Sequence, residues 1–500
     1  MARNNFLMFV AVLAACAVSA TVDAKTFYPH TAGELIQAVA TANSTPALDT
    51  IELDADKTYT LSPTLVIKHS LTIKGNGATL TQIEKGANRL INNSQAGILT
   101  IHNLILKGAE TKINGAALYT SGGYLFLVDC LVTENSSKLS GGAIFVNDGS
   151  TFQIVRSTFL ANSARGSGGA IFLGFNTNGD IIDSAFISNT VKQSGAEYGG
   201  GAIYAMLGKT AIVNTTFANN TALNSNGGAL MVASDGPESG SFFTQSHVTL
   251  TKNSAKNGGA IFINASVDPV YIVVKDSLIA GNTSVDGPNC KNAFLSSGYN
   301  LIEDTTGCAV DSFTGDLFDD ASLPTGLGTL ISSDVPGKSH VPLLASSMAI
   351  NHGSPPAGGT LDQLGSPRGN SPDIGAVEAI CGDNIAHTVL GEECDGTDLP
   401  GASCASKGFD GGVLSCAANC TYVTTACTKN PVTTPTEEKP PLPDKPATPL
   451  TEPPAAPPAG GETATDNGTG SVPGNPEGAA TTDGDGAAAK SVGGCQLILR

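Results

Sequence analysis

Three charged residues in the first half of the chain, Asp129, Arg156 and Asp183, recur at intervals of 27 residues. If each interval is one coil of a repeating fold, the arginine lies between the two carboxylates, about 4.8 Å from either. Such a patch could cleave a polysaccharide, because glycoside hydrolases use paired carboxylates and lyases use a base beside a neutralising cation. The alternative is a ladder of surface charges without a catalytic role. We favour the charge ladder, since the chain has no Trp and aromatic platforms for sugar rings are not evident nearby.

A second group of acidic residues, Glu392, Glu393, Asp395 and Asp398, lies close together in a cysteine-rich stretch. Carboxylate oxygens are preferred ligands of Ca²⁺, so these four residues are candidate ligands for that ion. Acidic surface loops that hold no metal are the alternative interpretation. The sequence indicates no other cofactor.

An internal repeat supplies the elements that position the first group. A Gly-Ala motif recurs and is followed each time, about half a period later, by a motif that ends in asparagine, with intervals of 26 to 33 residues. Fixed periods in this range indicate a solenoid. The repeat cores are short, rich in β-branched and aromatic residues, and interrupted by Gly, Asn and Ser, which favours strands over helices. We therefore predict an all-β fold over residues 25–380, a right-handed single-stranded parallel β-helix of the pectin-lyase-like type.

Equivalent positions of the repeat form columns that support this fold. The residue three before each asparagine is always apolar, as an inward-facing stack requires. The asparagines themselves are predicted to form a ladder of side-chain amides, with a polar binding stripe as the alternative. Cys130 shares a column of mostly small residues and is predicted to be a buried free thiol. The asparagine column consists of Asn135, Asn162, Asn189, Asn220, Asn253 and Asn282.

The beginning of the chain has the features of an export signal. Residues 1–24 combine Arg3, an apolar stretch and small-x-Ala sites, which predicts a signal peptide cleaved after Ala20 or Ala24. A lipoprotein signal is the alternative, with Cys16 as the lipid anchor. Residues 33–43 are predicted to form a short amphipathic helix that caps the open end of the β-helix. No transmembrane span is predicted in the mature chain.

Several of these stretches resemble known families. The Gly-Gly-Ala-Ile and Phe-x-x-Asn motifs resemble the chlamydial polymorphic outer-membrane-protein repeat, found in surface β-helices. Residues 33–53 are similar to the cap of CSLREA-type β-helix proteins, although the name-giving cysteine is missing. Residues 287–308 and 366–378, the latter containing Ser-Pro-Arg and Asp-Ile-Gly-Ala-Val-Glu, resemble the end of choice-of-anchor Q domains. These resemblances cover about residues 25–380 and imply a surface location without an agreed activity.

The cysteines of the second half are predicted to form disulfides, which persist in exported proteins. Cys290 and Cys308 are an isolated pair and should be joined to each other. Residues 381–427 resemble the Myxococcus-type cysteine-rich repeat, and so small a unit needs disulfides because it cannot bury an adequate core. We predict an independent module with three disulfides of open connectivity among Cys381, Cys394, Cys404, Cys416, Cys420 and Cys427.

The end of the chain has a different composition. Residues 428–490 are rich in proline and contain no aromatic residue, which predicts a disordered spacer. Residues 491–500 contain Gly-Gly-Cys, which resembles a short C-terminal sorting tail. Cys495 is therefore a possible anchor, and the alternative is a free or dimer-forming thiol.

The net charge of −18 argues against nucleic acid or anionic lipid as a partner, because phosphate binding needs clustered Lys and Arg. The sequence as a whole predicts an exported cell-surface or secreted protein that is non-enzymatic. Its role would be adhesin-like or envelope-structural, and its unidentified ligand could be a carbohydrate or a protein. A polysaccharide lyase or glycoside hydrolase on the same β-helix is the alternative.

Overall fold

The structure, a computed structural model, describes residues 23–430 apart from positions 87, 96, 148 and 207 and four short segments. The segments left out are 235–241, 266–270, 320–324 and 356–359. The predicted signal peptide, most of the proline-rich spacer and the Gly-Gly-Cys tail lie outside the described residues. The same is true of Cys16 and Cys495.

Within the described residues, to which the strand numbers below also refer, three parallel sheets wind into a solenoid. This confirms the predicted all-β parallel architecture. Sheet 1 has ten strands: Leu65–Ile67, Ile91–Asn93, Leu118–Ser121, Ile144–Asn147, Ile171–Leu173, Ile203–Ala205, Leu230–Ser234, Ile261–Ala265, Cys290–Ala293 and Cys308–Ala309. Sheet 2 has twenty strands: Thr26–Phe27, Asp49–Glu52, Thr58–Leu61, Leu71–Lys74, Thr79–Gln82, Ile98–His102, Ile105–Lys107, Tyr124–Val128, Leu131–Thr133, Thr151–Val155, Thr158–Leu160, Thr177–Ile182, Ala185–Ile187, Gly208–Ala218, Phe242–Thr251, Tyr271–Lys275, Leu278–Ala280, Leu295–Ser296, Leu301–Ile302 and Leu317–Phe318. Sheet 3 has six strands: Glu110–Thr111, Ser136–Ser137, Ser163–Ala164, Thr190–Val191, Thr221–Asn226 and Ser254–Asn257.

The predicted apolar stack forms the interior of the solenoid. Its six members are buried: Val132, Phe159, Phe186, Phe217, Leu250 and Ile279. The rings of Phe159, Phe186 and Phe217 stack at 4.7 and 4.8 Å between successive centroids. Because side chains alternate between the two faces of a strand, neighbouring positions point inward and outward in turn.

Each coil bends sheet 2 at a corner, where one residue adopts a left-handed backbone with φ between 45° and 57°. Asp129, Arg156 and Asp183 all occupy this position. In several coils the next residue stabilises the bend with a polar side chain. In the coil of Ser184, for example, the hydroxyl donates to the carbonyl of Ile182 at 2.8 Å and accepts the backbone N–H of Ser157 at 3.1 Å. Leu104 and Val248 occupy the same position in their coils and are apolar exceptions.

Cys130 stands in this column of small residues. Its thiol is free and buried, and burial raises the pKa of the thiol to about 12. A thiol that stays protonated is a poor nucleophile, so Cys130 is a packing residue.

The asparagine column forms one continuous hydrogen-bonded ladder at a second bend. Asn189 illustrates the pattern: its Oδ1 accepts both the backbone and the side-chain N–H of Asn162 at 3.0 Å. Its Nδ2 donates at 2.9 Å to the carbonyl of Phe159 and to Oδ1 of Asn220. Because these groups are buried, each amide satisfies backbone polar atoms that would otherwise lack a partner.

A turn between sheets 3 and 1 explains the glycines of the repeat. A Cβ on Gly169 would lie 2.0 Å from the carbonyl oxygen of Gly201 in the next coil. No larger residue fits this position while the coils keep their spacing.

The N-terminal end of the solenoid is capped by a helix, Ala32–Ala42, as predicted. Thr31 caps its first turn by accepting the N–H of Glu34, and Leu35 and Val39 are buried against the solenoid core. The helix therefore covers apolar residues that the first coil would leave exposed.

The cysteine-rich stretch contains a short 3₁₀-helix, Thr388–Leu390, and two antiparallel strand pairs. One pair joins Gly411–Gly412 to Cys427–Thr428, and the other joins Ser415–Cys416 to Tyr422–Val423. The disulfides are Cys290–Cys308, Cys381–Cys420, Cys394–Cys416 and Cys404–Cys427. The first is the pair that the sequence isolates, and the other three give the connectivity that the sequence left open.

Candidate functional site

The corner of sheet 2 stacks Asp129, Arg156 and Asp183 on successive coils in the predicted order, but the hydrogen bonds of Arg156 go to Asp129 and not to Asp183. Arg156 donates to both carboxylate oxygens of Asp129, at 2.7 and 2.9 Å. This bidentate bond raises the pKa of the Arg156 guanidinium, and both side chains are 44% exposed. Asp183 accepts instead from Nδ2 of Asn214 at 3.0 Å. The arginine thus has a carboxylate partner on one side, and the pair lies at the solvent-exposed end of the column.

Beyond Arg156 the corner column is not an outward surface, which corrects the expectation from the sequence. Residues 325–355 and 360–380, here together called the covering segment, fold back across it. The backbone N–H of Gly337 donates to the hydroxyl of Thr158 at 2.8 Å, and that of Ala376 donates to the hydroxyl of Thr249 at 2.9 Å. Asn214 donates to the carbonyl of Leu361 at 2.8 Å. The segment therefore spans the corner from the coil of Thr158 to that of Thr249.

Gly337 shows how closely the covering segment approaches. It has a φ of 76°, and a Cβ at this position would lie 2.7 Å from the Cα of Arg156 and 2.7 Å from the carbonyl oxygen of Asp183. The backbone of the covering segment thus packs directly against the backbone of the corner at these two levels.

Arg368 is the centre of the covering segment's buried polar contacts. Its guanidinium forms an ion pair with Glu378 and donates to the carbonyl of Gly375 at 2.9 Å and to Oδ1 of Asn214 at 3.2 Å. Burial raises the pKa of Glu378 to about 7, assisted by the nearby carboxylate of Asp373 and opposed by Arg368. These contacts join the Ser-Pro-Arg and Asp-Ile-Gly-Ala-Val-Glu motifs to each other and to the corner column.

A second buried centre forms around Asp276, which is fully inaccessible to solvent. Its carboxylate accepts the N–H and the hydroxyl of Ser354 at 2.6 and 2.7 Å and forms an ion pair with Lys275 at 2.7 Å. His247 lies 3.7 Å away, and burial together with Arg368 lowers the pKa of this histidine to about 3. A carboxylate whose oxygens are occupied in this way anchors the covering segment and cannot reach a substrate.

The four candidate calcium ligands are each engaged by backbone amides of the cysteine-rich stretch. Each carboxylate accepts backbone N–H groups at N···O distances of 2.6 to 3.0 Å. Glu392 accepts from His387, Glu393 from Tyr422, Asp395 from Gly382 and Asp383, and Asp398 from Ala386. In the part of the chain that the structure describes, the group with metal-ligand spacing is Cys381, Glu392 and Cys420. Its two cysteines are joined to each other, so neither offers a thiolate. The four candidate carboxylates therefore stabilise, through their bonds to backbone N–H groups, the turns that the disulfides connect.

An aromatic column that the sequence reasoning missed runs along the outer face of sheet 1. The rings of Tyr119, Phe145, Phe172 and Tyr204 stack nearly parallel, with centroids 5.7, 4.6 and 5.1 Å apart. The guanidinium of Arg89 lies 4.4 Å above the ring of Tyr119. The ring faces are covered by one another, by this arginine and, at the Tyr204 end, by Met231, so they do not form an open platform for sugars. The signal was present in the sequence as the fifth residue of each Gly-Gly-Ala-Ile-Phe motif.

A groove of about 410 Å³ on sheet 3 was also missed. Three cations from consecutive coils, Lys138, Arg165 and Lys192, line it together with Ser136 and other polar residues. Each of the three stands three residues after an asparagine of the ladder. The repeat therefore contained the signal for a basic groove, although the net charge of the chain is negative.

Comparison with known families supports the repeat. The model of the Chlamydia polymorphic membrane protein repeat matches residues 247–264. This stretch contains one ladder asparagine, Asn253, and one Gly-Gly-Ala-Ile-Phe motif that ends at Phe262. The chain is thus a parallel β-solenoid. Its repeat is similar to that of polymorphic membrane proteins. Comparison with curated proteins and with solved structures gives no match.

The repeat and the disulfides together suggest an extracytoplasmic protein associated with a surface or an outer membrane. Within the described ranges, no helix is long and apolar enough to cross a membrane.

Proposed function

We propose that this protein is an exported, surface-associated solenoid that binds a ligand and catalyses no reaction. One observation carries the proposal: the corner column, where the sequence placed a possible catalytic patch, is covered beyond Arg156 by the covering segment. Glycoside hydrolysis needs two carboxylates that flank the bond. Of the three candidate residues, Asp129 is hydrogen-bonded to Arg156, and Asp183 is hydrogen-bonded to Asn214.

The remaining carboxylates of this region support the same conclusion. Asp276, Asp362 and Asp373 are almost completely buried, and Asp373 accepts the backbone N–H groups of Asn351 and Ala379. A general acid or base must reach the substrate within hydrogen-bond distance. These side chains hold the protein's own backbone, which suits a structural role.

Two finer assignments belong to this proposal. Residues 287–308 and 366–378 represent the end of a choice-of-anchor Q domain, and residues 381–427 form an independent module of the Myxococcus cysteine-rich type. The contacts of Arg368 and Glu378 give the first of these motifs a physical role, since they fasten the covering segment. The three disulfides within 381–427 give the second motif its cohesion.

Incubation of the purified protein with a panel of polysaccharides tests the absence of catalysis. Pectate, pectin, rhamnogalacturonan, alginate and chondroitin are assayed with and without Ca²⁺, for unsaturated products and for new reducing ends. We expect no turnover by the wild type. Turnover that disappears in Asp183→Ala or Arg156→Ala would overturn the proposal and establish the enzymatic alternative.

Export and anchoring need a separate measurement. Mass spectrometry of the native mature protein reports signal cleavage, any lipid on Cys16 and the state of Cys495 together. A mature chain that begins near residue 21 or 25 supports export by a signal peptide. An intact N terminus on a cytoplasmic pool would contradict it.

A further inference from the structure

We propose that the groove of sheet 3 binds a linear anionic polysaccharide, whose carboxylate or sulfate groups lie against Lys138, Arg165 and Lys192. This inference rests on the proposed function and names the class of ligand. The solenoid presents these cations as one stripe along its axis, which suits a polymer better than a small molecule.

The stripe follows from the parallel register of sheet 3. Ser136 pairs with Ser163, and Ser163 pairs with Thr190, so the residues two positions later are also in register. The backbone N–H groups of Lys138, Arg165 and Lys192 each donate to the coil before them, at 2.9 Å. Successive cations are therefore separated by the strand spacing of about 4.8 Å. Lys112 extends the same column by one coil.

The cations of the stripe are exposed, and two of the three have no carboxylate partner among the described residues. All three side chains are exposed, and Lys138 has a carboxylate partner, Glu110, at 3.1 Å. Arg165 donates to the neutral amide of Gln193 at 3.2 Å, and among the described residues no ion pair involves Arg165 or Lys192. In a chain with a net charge of −18, consecutive cations without carboxylate partners indicate an anionic ligand.

The polar residues beside the cations suit a glycan. Ser136, Ser163 and Thr190 form a hydroxyl column next to the stripe, and the first two are hydrogen-bonded at 3.1 Å. Ser136, Gln193 and Ser194 line the groove itself and offer donors and acceptors to sugar hydroxyls.

The spacing disfavours two other anionic polymers. An acidic peptide in extended form repeats its side chains on one face every 6.4–6.8 Å or so, because successive residues point to opposite faces. The phosphates of a DNA strand repeat every 3.4 Å or so along the helix axis, and the overall negative charge repels a nucleic acid. In an extended chain of 1,4-linked pyranose rings, successive rings also face opposite sides, but each ring advances by a distance close to the strand spacing. The anionic groups of every second sugar can therefore meet the cations of every second coil.

Binding measurements on the full-length protein test the inference. Polygalacturonate supplies carboxylates, dextran sulfate supplies sulfates, and neutral dextran and duplex DNA serve as contrasting probes. The variant Lys138→Gln/Arg165→Gln/Lys192→Gln removes the stripe. The matched control, Lys68→Gln/Lys85→Gln/Lys209→Gln, removes three exposed cations elsewhere, so the two variants have the same net charge.

We expect the wild type to bind polygalacturonate or dextran sulfate, with an affinity that decreases as salt is added. The glycan that binds more tightly, polygalacturonate or dextran sulfate, identifies carboxylate or sulfate as the preferred anionic group. The stripe variant should bind about tenfold more weakly or worse, because three exposed charge contacts are lost. The control variant should change the affinity by less than about twofold.

Four outcomes would overturn the inference: no binding of either anionic glycan, equal binding of neutral dextran, tighter binding of DNA, or equal losses in the two variants. None of these contradicts the proposed function, since a non-enzymatic solenoid could bind another ligand. Depolymerisation of polygalacturonate would instead overturn the proposed function, and the stripe variant would still report where the polymer binds.

Discussion

The corner of sheet 2 and the groove of sheet 3 present charged residues from the same coils, but they use them in different ways. At the corner, the buried charges of Arg368 and Asp276 are neutralised by the protein's own side chains and backbone. In the groove, Arg165 and Lys192 face solvent. The same repeat thus stacks charged side chains that stabilise the fold at the corner and charged side chains that are exposed for ligand binding in the groove.

The difference has a physical basis in burial. A buried charge is costly unless it is paired and hydrogen-bonded, so the residues under the covering segment must be almost fully satisfied. An exposed cation stays hydrated and needs no partner, so the groove keeps its charges free at little cost in stability. Removing a charge at the corner should therefore reduce the stability of the protein, whereas removing a charge in the groove should reduce ligand binding.

The largest effect is expected for Arg368→Ala. This change leaves Glu378 buried without its cation and should destabilise the covering segment by about 3–5 kcal/mol. Native-state hydrogen exchange of residues 360–378 should then accelerate by roughly 10²- to 10⁴-fold. Exchange that is unchanged would show that the buried pair does not hold the segment in place.

Asn189→Ala should be the next most damaging change. It leaves the N–H groups of Asn162 and the carbonyl of Phe159 without their partners, and each unsatisfied buried group costs about 1–3 kcal/mol. We expect a loss of about 2–4 kcal/mol in urea denaturation. The exposed Asn224→Ala is the control and should change stability by no more than about 0.5 kcal/mol. Similar losses in both variants would argue against a structural role for the ladder.

The corner should also respond to pH through Glu378. Its folded-state pKa of about 7 lies above the ordinary value of 4.5, so the stability it contributes is fully present below pH 4.5. That contribution is lost as the pH rises through 7. His247 acts in the opposite direction, because its lowered pKa makes stability decrease as the pH falls from 6.5 towards 3. Asp373, Asp362 and Arg368 are the other charged groups that act on Glu378.

Replacement of Glu378 by Gln isolates its contribution, since His247 is present in both proteins. The stability of the variant relative to that of the wild type should be greater at pH 8 than at pH 5. The difference between the urea midpoints of the two proteins, measured at each pH, reports this change. A difference that is the same at both pH values would contradict the burial of an ionisable Glu378.

The smallest effect is expected for Arg156→Ala, at the exposed end of the same column. The ion pair with Asp129 is 44% exposed on both sides, so its loss should cost about 0–1 kcal/mol. Thermal denaturation of this variant beside Arg368→Ala compares the same substitution at the two ends of the corner. A loss of several kcal/mol for Arg156→Ala would show that the pair is part of the buried network.

The repeat could be predicted from the sequence because its contacts are local to neighbouring coils. The spacing alone placed the asparagines, the apolar stack and Cys130 in columns, and each column has a clear physical role in the structure. The covering segment could not be predicted in this way. Residues 325–380 have no repeat, and Arg368 meets Asn214 across 154 positions of the chain. The groove was within reach, because its cations keep a fixed distance from the ladder asparagines.

Lysine acylation with limiting reagent, mapped by mass spectrometry, compares the reactivity of lysines at the corner of sheet 2 and in the groove of sheet 3 within one folded molecule. Lys138 and Lys192 line the open groove, whereas Lys275 is bonded to Asp276 and Ser354, and Lys338 to the carbonyl of Leu364. The account predicts that the two groove lysines are modified several-fold faster than Lys275 and Lys338. Equal rates at all four sites would show that the covering segment does not close the corner, and would contradict the account.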